Sequence, residues 1–189
     1  MRNHLLPFRL LVALVAALAF APVTASAQIL VDVPDVTASP GEGNVILSVH
    51  IENQMPFSGF QLDLKYPVQV AAPGIATAGS QTASAGWSLY SNLTAHGTFI
   101  IAFSMNSTPI TPGTGPVAHV EVAILPSAIP GSYPIEVANV VISDPQGVAI
   151  PATVSSGVLT IIGAGDDDDS AAGDDDDDSA ASDDDDDDS

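Results

Sequence analysis

The sequence has 189 residues, no cysteine, and 3 basic against 23 acidic side chains, for a formal net charge of −20. Those numbers exclude a disulfide framework and thiolate chemistry, and they leave no basic patch able to release counterions from nucleic acid or anionic lipid. The length fits one domain, whose core must hold without covalent staples.

In chain order, MRNHLLPFRLLVALVAALAFAPVTASAQ comes first: Arg2 and Arg9 precede an apolar run from Leu10 to Phe20, and Ala25, Ser26 and Ala27 follow it. This is the pattern of a secretory signal peptide over residues 1–27, with cleavage expected between Ala27 and Gln28. The run is well short of the roughly 20 apolar residues that cross a bilayer, so no membrane insertion is expected after its removal. The expected location is secreted, extracellular or on the surface of a bacterium. Removal also takes both arginines, leaving Lys65 alone against 23 carboxylates, a net charge of −22.

From residue 28 to 163, short apolar-rich runs alternate with Gly, Pro, Asn and Ser, and none keeps a helical period. ILVDV (Ile29–Val33) is a first strand, ended by Pro34 and the turn-rich SPGEGN. NVILSVHI places Val45, Leu47, Val49 and Ile51 on one face and Ile46, Ser48 and His50 on the other. In FSGFQLDLKYPVQV, Phe60, Leu62, Leu64 and Tyr66 alternate with Gln61, Asp63 and Lys65, so these three polar side chains point to water. WSLYSN turns Trp87 and Leu89 inward and Tyr90 outward. GTFIIAFS, PVAHVEVAIL, SYPIEVANVVIS and GVLTII complete the set. Eight or nine short strands at this spacing predict an all-β fold, a single nine-stranded β-sandwich of jelly-roll or Greek-key type. The expected core is Val45, Leu47, Val49, Phe60, Leu62, Leu64, Trp87, Leu89, Phe99, Ile101, Phe103, Val120, Val122, Ile124, Ile135, Val137, Leu159 and Ile161.

After Gly163 the composition changes to three blocks of aspartate separated by Ser, Ala and Gly, and fifteen of the 23 acids fall there. Mutual repulsion and the lack of anything to bury predict a disordered tail over residues 164–189. The blocks beginning at Asp166, Asp174 and Asp183 are expected to attract cations diffusely. Uninterrupted aspartate lacks the alternating ligand spacing of a built calcium loop, so no specific metal site is expected.

His50, His96 and His119 are too far apart in sequence for metal-ligand spacing and read as surface histidines. No nucleophile elbow, P-loop or dinucleotide fingerprint occurs, and no cofactor is implied. Glu52, Asp63, Glu121 and Glu136 could supply a glycosidase pair, but a domain this short without an aromatic-rich cleft gives that little support. The chain reads as a non-enzyme. One alternative is a carbohydrate-binding module, for which Tyr90 is the exposed ring; another is a structural surface protein with a solvating acidic spacer.

Taken together, FSGFQLDLKYP, GTFIIAFSMN with GPVAHVEVAIL, and GSYPIEVANVVISDPQGVAIPATVSSGVLTI resemble the cohesin domain, as does the early SPGEGNVILSVHIEN. The resemblance spans nearly all of residues 28–162. It implies a non-catalytic β-sandwich that binds a dockerin-like or other secreted protein module, with polysaccharide degradation as the setting. It also implies that the outward face of FSGFQLDLKYP takes part. Lys65 occupies the place of a basic residue that cohesins often carry before the tyrosine of that strand. The polar pair at the strand's start falls on Gly59 and Gln61, and the aspartate after the tyrosine falls on Pro67. An acidic contact after FIIAFS falls on Met105 or Asn106. The implied partner-binding residues are Gln61, Asp63, Lys65, Met105 and Asn106.

Overall fold

The computed structural model describes residues 29–163. The expected signal peptide and the aspartate blocks at Asp166, Asp174 and Asp183 lie outside the described residues. Eight strands carry the runs read from the sequence: β1 (Ile29–Asp32), β3 (Val45–Asn53), β4 (Gly59–Lys65), β7 (Ser88–Thr94), β8 (Gly97–Phe103), β9 (Gly113–Ile124), β10 (Gly131–Ser143) and β13 (Gly157–Ile161). Five shorter pieces join them: β2 (Val36–Ala38), β5 (Ala71–Ala72), β6 (Ala76–Ala78), β11 (Ala149–Ile150) and β12 (Ala152–Ser155). They raise the strand number above nine without altering the sandwich. One short helix, α1 (Ser80–Ser84), lies between β6 and β7.

The strands form two sheets. One runs β12-β1-β3-β9-β5 with β6 also on β9; the other runs β2-β13-β10-β4-β8-β7 with β11 also on β10. The pairs β1 with β12 and β2 with β13 are parallel, and the rest are antiparallel. Alternation along β3 buries Val45, Leu47, Val49 and Ile51, and along β4 it buries Phe60, Leu62 and Leu64, so each sheet turns one apolar face to the other. Trp87 is buried edge-on against Phe57, with ring centroids 5.4 Å apart, and its indole N–H donates to the Thr108 carbonyl at 2.8 Å. Several buried polar groups are paired, whereas Asn53 Oδ1, Ser58 Oγ and Gln81 Oε1 find no partner among the described residues. Thr98 donates to the Gly74 carbonyl at 2.7 Å, so the Tyr66 hydroxyl is the donor in its 2.8 Å bond to Thr98, and it accepts the Gly74 N–H at 3.2 Å.

The structure corrects one strand. Phe99, Ile101 and Phe103 were expected in the core, but Thr98, Ile100 and Ala102 fill it and the three larger side chains face outward. Pairing is the cause. Directly opposed residues share a face, and β8 sets Ala102 against Phe60, Ile100 against Leu62 and Thr98 against Leu64. TFIIAF is apolar on both faces, so its own alternation does not choose between them.

Candidate interaction face

The corrected strand changes the outer surface of the second sheet. Across β10, β4, β8 and β7 the register lays out four rows: Ser143, Gly59, Phe103, Ser88; Val141, Gln61, Ile101, Tyr90; Ala138, Asp63, Phe99, Asn92; and Glu136, Lys65, Gly97, Thr94. Gln61, Asp63 and Lys65 are half-buried on this face, as expected from the sequence. Phe99, Ile101 and Phe103 lie beside them and were missed as surface residues. Tyr90 is 58% exposed and Val141 47%, which completes an apolar band crossed by Gln61 and Asp63.

A signal for the missed residues exists in the sequence. Thr94 and Gly97 close a hairpin through Ala95 and His96, and counting back from that turn sets Tyr90 opposite Ile101. An outward Tyr90 therefore requires an outward Ile101. Gly97 is needed at the turn: its φ is +142°, and a Cβ there would stand 2.1 Å from the Leu64 carbonyl oxygen.

Local devices shape the face. A bulge in β10 between Ala138 and Val141 brings Asn139, at φ +51°, to donate its amide N–H to the Asp63 carboxylate, which fixes that side chain. Tyr90 stacks on Phe103 with centroids 5.9 Å apart and planes 20° from parallel. Where Gly59 lacks a side chain, a shallow depression of about 160 Å³ opens among Gln61, Ile101, Phe103, Val141 and Ser143. At the other end, Lys65, Gln69, His96, Tyr133 and Glu136 border an open hollow of about 460 Å³. Met105 and Asn106 are exposed in the turn directly after β8, where Ser104 N–H donates to the Ser58 carbonyl. They lie beyond the Phe103 row, at the margin of the face.

Elsewhere, the residues do not converge on chemistry. His50 sits opposite Asp32 and Pro116 on the outer face of the first sheet, His119 Nδ1 is 2.9 Å from Ser48 Oγ, and His96 is at the hairpin turn. Among the described residues, no group of three or more His, Cys, Asp or Glu could hold a metal ion. Glu52 and Glu121 are on the first sheet and Asp63 and Glu136 on the second, so the four carboxylates do not share one cleft. A further hollow of about 470 Å³, between α1 and residues 108–114, is lined by uncharged side chains.

No protein-family model matches the chain, and no curated protein does. Solved structures do. A non-cellulosomal cohesin from the archaeon Archaeoglobus fulgidus is similar with a TM-score of 0.62 at 19% identity, over 72% of this chain and 92% of that one. The fold is cohesin-like. A type I cohesin–dockerin complex from Clostridium thermocellum contains a chain that matches with a TM-score of 0.64 at 15% identity, over 71% of this chain and 99% of that one. The solution structure of CaCohA2 from Clostridium acetobutylicum matches with a TM-score of 0.59 at 20% identity, over 71% and 90%. The resemblance first drawn from FSGFQLDLKYP and its companions thus holds for the fold, and β4 of the cohesin-like sandwich lies at the middle of the face described above.

Proposed function

We propose that this chain is a non-catalytic binding module that docks a secreted, dockerin-like protein partner on the outer face of β10, β4, β8 and β7. The observation that carries the reading is the outward apolar band of Phe99, Ile101, Phe103, Tyr90 and Val141 on a sheet face otherwise bordered by polar groups. A contiguous exposed apolar patch with a polar rim is the anatomy of a protein interface. Gln61, Asp63 and Lys65 supply hydrogen-bonding groups within the band, and Asp63 is held in place by Asn139. Met105 and Asn106 form the rim. Several similar solved structures are complexes of a cohesin with a dockerin, which supports the same class of partner. The setting is an extracellular or cell-surface assembly reached by the leader of residues 1–27, with polysaccharide degradation as its context and the segment 164–189 as an acidic spacer.

Direct carbohydrate binding through Tyr90 is less supported, because Phe103 already covers one face of that ring and the two rings stack instead of lying side by side as a platform. The test is capture from the secreted fraction of the source culture with the full chain as bait, with and without calcium, beside an insoluble-glycan assay. A protein captured by the natural chain and lost with Ile101→Asp supports the reading. Capture unaffected by Ile101→Asp, or retention on glycan that Tyr90→Ala abolishes, would displace it.

A further inference from the structure

Four strands end the main ladders of the two sheets: β12 and β5 in the first, β2 and β7 in the second. β5 has two residues, β2 has three and comes shortly after Pro34, and β12 has four and follows Pro151. Short strands and nearby prolines are how sheets avoid pairing with other chains. β7 has neither device. It is seven residues long, SLYSNLT, without charge or proline, and its register to β8 is unbroken from Ser88 to Thr94.

The hairpin fixes which backbone groups remain free. Thr94 and Gly97 are the closing pair, so Ser88, Tyr90, Asn92 and Thr94 turn their N–H and C=O toward β8, and Leu89, Ser91 and Leu93 turn theirs to the open edge. Among the described residues these edge groups make no backbone hydrogen bond. The contact from β6 uses the Ser91 side chain instead, whose Oγ accepts the Ala76 N–H at 2.9 Å. Leu93 at this edge is 56% exposed.

We propose that β7 pairs with β7 of a second copy of this chain, antiparallel about a two-fold axis at Ser91. The strand is close to a palindrome about that residue. In the pair, Leu89 faces Leu93 of the second copy, Tyr90 faces Asn92, Ser91 faces Ser91, and Ser88 faces Thr94. Apolar therefore meets apolar at the exposed Leu93, and hydroxyl meets hydroxyl, as an isologous interface requires. A foreign strand would call for no such symmetry.

Charge allows self-pairing here. Copies of a chain at −20 repel one another, whereas β7 itself carries no charge. It is also the edge opposite β13, after which the aspartate blocks begin. Four strand spacings, about 19 Å, separate β13 from β7. In the pair the two β13 strands are therefore about 40 Å apart, several Debye lengths at physiological salt. The two-fold sets both outer faces on the same side, so the band ending at Tyr90 in one copy runs on into that of the other. This surface is distinct from the partner-binding band, and the inference does not depend on what that band binds.

The test is sedimentation velocity of the full chain at physiological salt, from micromolar to millimolar concentration. The mean mass is expected to climb toward twice the monomer value, with amide exchange at Leu89, Ser91 and Leu93 slowing in parallel. Leu93→Pro removes an edge-facing N–H and no bond to β8; Leu93→Lys adds a charge at an exposed position. Both are expected to restore the monomer with an unchanged circular-dichroism spectrum. A monomer at every concentration overturns the proposal, as does association that survives both variants or leaves exchange at β7 unaltered.

Discussion

Ile100 and Ile101 are adjacent, identical and opposite in consequence. Ile100 is 0% exposed and packs from β8 against the first sheet, while Ile101 lies half-buried on the outer face between Gln61 and Tyr90. Ile100→Ala removes fully buried carbon atoms and leaves a cavity, a change that typically costs 2–5 kcal/mol, here about 3 kcal/mol. At roughly 4 °C per kcal/mol for a domain of this size, the midpoint should fall by about 12 °C. Ile101→Ala removes groups that already touch solvent and should cost under about 1 kcal/mol, a shift of no more than about 4 °C. Trp87, the only tryptophan of the chain and 7% exposed, gives the readout: its fluorescence followed through thermal and guanidinium unfolding reports both variants. A loss from Ile101→Ala equal to or larger than that from Ile100→Ala would put the outer residues of β8 back in the core. The interaction face would then lose its centre.

Thr98→Val keeps the shape of a side chain that is 1% exposed but deletes the hydroxyl shared by Tyr66 and the Gly74 carbonyl; it should cost about 1–3 kcal/mol, read as a lowered guanidinium midpoint. A midpoint unchanged by that substitution would mean that the network adds nothing. Lys65→Glu sets an acid directly opposite Glu136 on a face otherwise acidic or neutral, so it should slow association with an acidic partner and alter the salt dependence, with little change in dissociation rate. Identical kinetics by surface plasmon resonance would move the contact away from β4. Calcium should associate with the aspartate blocks after Gly163 weakly, in the millimolar range, and ever less as monovalent salt shortens the Debye length toward about 8 Å. Calorimetry returning micromolar affinity with a whole-number stoichiometry would instead indicate ligands fixed in a coordination shell.

Period-two alternation with one apolar face was enough to orient β3 and β4, because burying Ser48 and His50, or Gln61, Asp63 and Lys65, would strand polar groups in a core while exposing leucines. The sandwich and the outward placement of Gln61, Asp63, Lys65 and Tyr90 were legible on that basis. β8 was not, because Phe99, Ile100, Ile101, Ala102 and Phe103 suit either face. Its own alternation is silent, and the neighbouring strands decide: β4, whose orientation was already determined, and β7, whose hairpin register sets Ile101 opposite the outward Tyr90. β10 shows the same limit in another form. Ile135 and Val137 are buried at odd positions, but the bulge after Ala138 advances the phase and Ile142 is buried at an even one. Side-chain alternation carries the facing of a strand only as far as its backbone stays regular. Where a run is apolar on both faces or a bulge shifts the phase, the neighbouring strand chooses, and here that choice placed the apolar band of the candidate interface on the outside.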